Sequence, residues 1–235
     1  MNSSSAIPVE LRAVSGACSD GTGVRDISAV FEAGRLHVLR GAPDCGKVAL
    51  FRFAGLLERP AEGDVLIQGN SARGLGEEAR TELRTQRLGF VFAAPFLLAS
   101  FTVIENVAMP LFKISQVGPE EARQRTERLL EFVGLAGAAQ TPVDELTPSL
   151  HYLVAIARGL VNEPAVLMVE SLDGTLVGLE LEGYAAVLRK AAAEFGPAVI
   201  ATASPRWRLR PGDRVLDIGR GAIVIDSECL PEAGD

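Results

Sequence analysis

Apolar and polar residues alternate along 8–14 and 27–40, around the turn-rich breaks SDGTG and EAG, with the two-residue period of short antiparallel strands. A small β layer is predicted there. From Val48 to Leu57 the apolar spacing becomes helical, and Pro60 with Gly63 ends that element. Residues 64–68 (DVLIQ) predict another strand and 76–85 a strongly charged helix. RLGFVF (87–92) is a short, β-prone apolar run bounded by polar residues, as a buried strand is. From Ala93 to Leu160 the texture is helical, with apolar residues three or four apart over 101–109, 119–133 and 149–160. Pro119-Glu120-Glu121 makes a favourable first turn for the second of these. AVLMVE (165–170) and AVIAT (198–202) are further core strands flanking a long helix over 178–195. A hairpin around Gly219 to Gly221 closes the pattern at 214–225, and the tail after Ser227 is expected to be unstructured. Strands alternating with helices predict an α/β fold around a mostly parallel sheet, with a small antiparallel β subdomain and a helical subdomain. The expected division is core and β layer over 8–92 and 162–226, helical subdomain over 93–161, and tail over 227–235.

The chemistry concentrates in LRGAPDCGKVAL (39–50), the end of a buried strand running through a glycine loop into a helix. In that layout backbone N–H groups and a helix N-terminus hold phosphates. Gly41, Gly46 and Lys47 sit at the G-x-x-x-x-G-K spacing, with Cys45 inside the loop, but Val48 stands where a hydroxyl would ligate Mg²⁺. Asp44 puts a carboxylate into a loop built for anions. At ~5 Å and an effective dielectric of ~20, its repulsion is on the order of 3 kcal/mol per unit phosphate charge. ATP binding at Gly41, Cys45, Gly46 and Lys47 is therefore expected to be weak or lost.

Composition narrows the function classes. With 235 residues and 48% hydrophobic content the chain can bury a full core, and its net charge of −7 without a Lys/Arg cluster argues against nucleic-acid binding. Cys18, Cys45 and Cys229 show no metal-ligand spacing. MNSSSAIPVELRAV lacks the basic and apolar regions of an export signal, and no apolar run approaches the ~20 residues that span a bilayer. A cytoplasmic protein is expected, with docking on a membrane partner left open.

Across residues 9–225 the chain resembles the ATP-binding subunits of ABC transporters, in particular the lipoprotein-release, macrolide-export and cell-division group. The resemblance is carried by LRGAPDCGK, GDVLIQG (63–69), RLGFVF followed by FLLASFTVIENVAMPL (96–111), and VAIARGLVNEPAVLMVE (154–170). It implies a P-loop NTPase core, a membrane-spanning partner subunit, a peripheral place on the inner face of the cell membrane, and a homodimer or heterodimer with another ATP-binding subunit.

The same resemblance exposes departures. The VSGACSDG stretch offers no ring for adenine, which removes ~1–3 kcal/mol of stacking if nucleic-acid binders are a guide. The family's Gln after the FVF strand is Ala93 here, and its LSGGQ signature is Leu146-Thr147-Pro148-Ser149-Leu150. Pro148 has no N–H to offer and Leu150 no polar tip. The metal-holding acid is replaced by Val169, while Glu170 survives in the place of the water-polarising base. Ala203 and Ser204 replace a His and an Asp, and the loop ending Leu-Asp in the family reads Gly174-Thr175-Leu176. Neither His37 nor His151 falls at the expected histidine position. Bound Mg²⁺ is not expected, and Glu170 stands as a vestige.

Each survivor also has a plain structural reading. Lys47 either binds phosphate or is a solvated charge paired with Glu170 or Asp44, and Gly41 and Gly46 suit the turn with or without a ligand. Phe96, Leu97, Leu98, Phe101, Val103, Ile104, Glu105 and Asn106 fall in the stretch that receives the membrane subunit in the family, which makes them docking candidates. Three functions stay open at this point: a non-hydrolysing structural or regulatory half, an asymmetric partner of an active ATPase subunit, and a small-molecule kinase or free-standing binding protein.

Overall fold

In the computed structural model, residues 7–114, 117–171, 173–174, 178–208 and 210–228 are described. The central sheet has the order β10-β9-β3-β8-β7-β6, formed by β3 (Leu36–Arg40), β6 (Leu88–Val91), β7 (Val166–Val169), β8 (Ala198–Ala203), β9 (Arg214–Gly219) and β10 (Ala222–Glu228). β9, β3, β8, β7 and β6 run parallel, and β10 returns antiparallel to β9 as the edge. VLMV in β7 and AVIATA in β8 are buried at every position, as strands covered on both faces must be.

A second sheet, β2-β1-β4-β5, is antiparallel and comprises β1 (Val9–Ala17), β2 (Gly23–Phe31), β4 (Glu62–Ile67) and β5 (Asn70–Ser71). The expectation of one antiparallel layer over 27–40 is corrected here. The chain leaves that sheet at Phe31, and Leu36–Arg40 enters the parallel sheet beside β8 and β9. All but the last residue of β3 is buried, which marks a central strand, whereas β1 and β2 mix buried and exposed positions.

Helix α1 (Lys47–Ala54) packs between the sheets and ends earlier than expected. Gly55 N–H bonds back to the Phe51 carbonyl, and Leu56 at φ 55° turns the chain out of the helix before Pro60 is reached. α2 (Glu77–Arg87) places Glu77 and Glu78 in its first turn and Arg84 and Arg87 in its last, matching the helix dipole.

α3 (Val103–Ile114), α4 (Pro119–Phe132) and α5 (Pro148–Leu160) pack together, and α6 (Gly178–Phe195), which connects β7 to β8, packs on β8 and β3. α3 begins two residues later than the apolar spacing suggested, because Thr102 and Glu105 form a reciprocal cap. Glu105 accepts from the Thr102 N–H at 2.8 Å, and the Thr102 hydroxyl accepts from the Glu105 N–H at 3.3 Å.

The unstructured tail is corrected at its start. Ser227 and Glu228 belong to β10, and Glu228 sits 3.2 Å from Arg35 in an ion pair. Cys229 and the rest of the tail lie outside the described residues. No helix among the described residues is long and apolar enough to cross a membrane.

Candidate functional site

The carboxyl edge of the parallel sheet carries a cleft of about 300 Å³ between the β3–α1 loop and the ends of β7 and β8. Ligands of such sheets bind outside the carboxyl ends of the strands. The loop's shape follows from its glycines. A Cβ on Gly41 would lie 2.5 Å from Cys45 Sγ and 2.6 Å from the Ile218 carbonyl oxygen. Gly46 has φ 101°, and a Cβ there would collide with the Gly23 carbonyl oxygen. The Cys45 side chain is buried against the loop, so this residue can offer a ligand its backbone but not its thiol.

Lys47 opens α1 and folds its ammonium back over the loop, donating to the carbonyls of Gly41 at 2.9 Å and Ala42 at 2.8 Å. Among the described residues it forms no ion pair with Glu170 or Asp44. It is a cation parked on backbone carbonyls at the phosphate position. Asp44 is exposed, lines the cleft, and is held at φ 60°, a conformation that costs a residue with a Cβ.

Across the cleft stand Glu170, Ser171 and Thr202. Glu170 Oε2 accepts the Ala93 N–H at 3.3 Å, and the Ala93 carbonyl accepts the Tyr152 hydroxyl at 2.9 Å. That chain of bonds links the end of β7 to α5 through the residue after β6. Thr202 Oγ accepts the Ser171 N–H at 2.8 Å, tying the ends of β7 and β8. Among the described residues, none that lines the cleft is aromatic.

Beyond Thr202, Ala203 is buried, and Ser204 donates through its N–H at 2.9 Å to Asp173. Asp173 is a link that the sequence reading missed: its carboxylate takes over contacts around Ser204, although only its acidic identity was visible in the sequence. Thr175 and Leu176 lie outside the described residues. At α5, Thr147 is the N-cap and Pro148 the first helical residue, where a missing N–H costs the helix nothing. Leu146 and Leu150 are partly buried against the helical core, which leaves Thr147 and Pro148 exposed.

The docking candidates divide sharply. Phe96 is 72% exposed, Phe101 44% and Leu98 40%, whereas Val103 and Asn106 are fully buried. A partner cannot reach Val103 or Asn106, so their roles are corrected to packing and scaffolding. The Asn106 side chain accepts from Leu98 N–H at 2.8 Å and donates to the carbonyls of Leu98 at 3.1 Å, Phe101 at 3.3 Å and Thr102 at 3.1 Å. Leu97 and Ile104 are half-buried against the helical core, and Glu105 is engaged in its cap. Arg158 from α5 donates to the carbonyls of Phe96 at 2.9 Å and Pro95 at 2.5 Å, while burial depresses its pKa. Phe96 projects beside Phe92, their ring centroids 5.9 Å apart. The adjoining cavity of about 280 Å³ is lined in part by Phe90, Phe92, Met109, Pro110 and Arg158.

The chain's likenesses fit this geometry. A family model described as ABC transporter matches residues 24–171. A lipoprotein-releasing system ATP-binding protein LolD of Paramagnetospirillum magneticum is 38% identical over 193 residues, covering 82% of this chain and 84% of the relative. LolD of Pseudomonas syringae pv. tomato is 36% identical over 184 residues, covering 78% and 81%. A solved structure of the dimeric ATP-binding cassette MJ0796, bound to ADP and Pi, superposes with a TM-score of 0.77 at 24% identity, covering 94% of this chain and 98% of that one. The cassette cbiO1 from Clostridium perfringens gives a TM-score of 0.84 at 22% identity, covering 94% and 88%. At those identities the solved structures speak for the fold alone.

These matches overturn the expectation of weak ATP binding and no Mg²⁺, because the chain's family uses ATP with Mg²⁺. The apolar side chains of Val48 and Val169 do not by themselves exclude the metal. Mg²⁺ keeps several waters and is held largely by nucleotide phosphates with one or two carboxylates. The oxygens of Glu170, Ser171 and Thr202 line this cleft and fit such a shell. Loop, flanking sheet, cleft and sequence relatives agree, and this chain belongs to the ABC transporter family as an ATP-binding subunit.

Proposed function

We propose that this chain is the cassette of a lipoprotein-releasing type of transporter, docked on a membrane-spanning subunit at the cytoplasmic face, paired with a second cassette, and slow in hydrolysis. One contrast carries the reading. Glu170 lines the same cleft as Lys47, but Ala93, whose N–H it holds, ends in a methyl group, and Ala203 is buried in the core with no polar group to offer. The docking end, by comparison, retains an exposed aromatic at Phe96 on a loop fixed by Arg158 and Asn106.

Glu170, Ser171 and Thr202 would hold a Mg²⁺ ion that, when bound, would supply charge neutralisation for the β- and γ-phosphates of ATP. The chain's own residues do the remaining work. Gly41 and Gly46 let the loop backbone approach the phosphates, and Lys47 exchanges its two carbonyl partners for phosphate oxygens. Glu170 can accept a proton from water, but its Oε2 already holds the Ala93 N–H, and neither Ala93 nor Ala203 can orient that water. Pro148 offers no N–H to a nucleotide held by the paired cassette. The segment 93–161 then serves mainly to couple nucleotide occupancy to the membrane subunit through Phe96, Leu98 and Phe101.

The test separates hydrolysis from docking. Phe96→Asp and Leu98→Asp place charges on exposed apolar positions, where an apolar docking surface depends on buried area. Both variants are expected to remain folded by circular dichroism and to lose co-purification with the membrane subunit. Retained co-purification with both would remove the docking role. Turnover by the wild-type chain at the ordinary ~1–10³ s⁻¹, abolished in Glu170→Gln, would remove the slow-hydrolysis role.

A further inference from the structure

A second cleft, of about 440 Å³, lies past the end of β8 against the first turns of α6. Its walls include Arg206, Trp207, Arg208 and Arg210, a basic run in a chain whose net charge is −7. The two carboxylates in the cleft are already engaged. Asp173 accepts from Ser204, and Glu182 pairs with Arg210 at 2.5 Å. Arg206 and Arg208 have no ion-pair partner among the described residues. Two uncompensated guanidinium groups therefore border one concavity of ordinary ligand size.

The wall between them is built rigidly. Trp207 is 7% exposed; the Arg189 guanidinium lies 5.7 Å from its ring centroid, and Arg40 donates to its carbonyl at 2.9 Å. Arg189 is in turn fixed by the buried Asp213 at 2.8 Å. Trp207 Nε1 is buried with no acceptor among the described residues, and an unsatisfied buried donor calls for a missing water or ion. Such a cleft suits a compact oxyanion with several acceptors, since arginine binds phosphate oxygens through two parallel N–H bonds.

We infer that the cleft lined by Arg206, Trp207 and Arg208 is an anion site for a small phosphoryl compound, separate from the β3–α1 loop. Charge selects the ligand's sign, and the cleft's size admits a diphosphate or a phosphate ester.

Trp207 is the only tryptophan in the chain, so its emission reports on this cleft alone. Titration of the full chain with inorganic pyrophosphate should change that emission saturably. The Arg206→Gln/Arg208→Gln variant should weaken the response about tenfold or more, as loss of charge-assisted hydrogen bonds does. Lys47→Ala should leave it unchanged. No saturable response, an undiminished response in the double variant, or its loss in Lys47→Ala would each overturn the site. An equal response to sulfate would overturn its phosphoryl selectivity. Far-ultraviolet circular dichroism and the emission maximum without ligand check that the double variant is folded; a misfolded double variant is replaced by Arg208→Lys, for which unchanged binding counts against the site.

Discussion

Glu170 Oε2 and the Ala93 N–H are joined at 3.3 Å, so the carboxylate proposed as general base is tied to the residues that follow β6. The bond holds the carboxylate toward the cleft, yet Ala93 adds no polar side chain to steer a water. Replacement by Ala93→Gln keeps the backbone donor and supplies an amide. Steady-state Mg·ATP turnover should rise on the order of tenfold, below the hundredfold that a fully positioned catalytic group contributes. The same substitution in a Glu170→Gln background should give no rise. An increase in that background would show that the amide acts independently of the carboxylate.

Gly46 is the point where the phosphate loop tolerates least change. Its φ of 101° and the close Gly23 carbonyl together exclude a Cβ. Gly46→Ala should destabilise the chain by about 2 kcal/mol or more, through backbone strain plus displacement of β2. Urea unfolding would read this as a lower midpoint at unchanged slope, and ATP binding by calorimetry should fall with it. A neutral substitution would mean that the loop does not hold this conformation in solution.

The parallel core was legible in the sequence because AVLMV (165–169) and AVIA (198–201) are apolar at every position, a pattern that sheet burial on both faces demands. Leu36–Arg40 was harder, since a five-residue strand following an antiparallel one carries no local mark of its partners. The phosphate loop was legible from Gly41, Gly46 and Lys47, which answer to backbone geometry and ammonium reach. Asn106 was read as a contact residue because spacing alone cannot distinguish a polar side chain facing a partner from one that turns inward to bond its own loop. Asp173 and the Trp207 cleft depend on contacts between chain segments about thirty residues apart, which no local pattern encodes.

Asn106 should matter to stability rather than to partner chemistry. Fully buried, it bonds four backbone groups from Leu98 to Thr102, so Asn106→Ala strands the Leu98 N–H and removes the second donor from the carbonyls of Leu98, Phe101 and Thr102, each of which keeps a backbone partner. A loss of about 1–3 kcal/mol is expected, with amide exchange accelerating across 98–102 before it does elsewhere. Asn106→Asp should restore only the Leu98 N–H bond and recover part of the loss. If Asn106→Ala unfolds at the wild-type midpoint, the network does not stabilise the loop.

His37 makes the chain's stability depend on pH in a stated direction. It is buried beside the Phe31 ring, and its Nε2 lies 3.0 Å from the Glu32 carbonyl oxygen, which the neutral ring can meet as a donor. Burial lowers its pKa to about 4, against the nearby Glu32, which favours the charged form. The folded state therefore refuses a proton that the unfolded chain accepts near its ordinary pKa of about 6.5. Stability from this group is intact above that value and declines as the pH falls toward about 4, by on the order of 2 kcal/mol at pH 5. His37→Gln keeps a donor for Glu32 but has no proton to gain, so its urea midpoint should fall less between pH 7 and pH 5 than the wild-type midpoint does. The difference between the two slopes isolates His37 from the carboxylates, which titrate in both proteins. Equal slopes would show that His37 is protonated in the folded chain or reached by water.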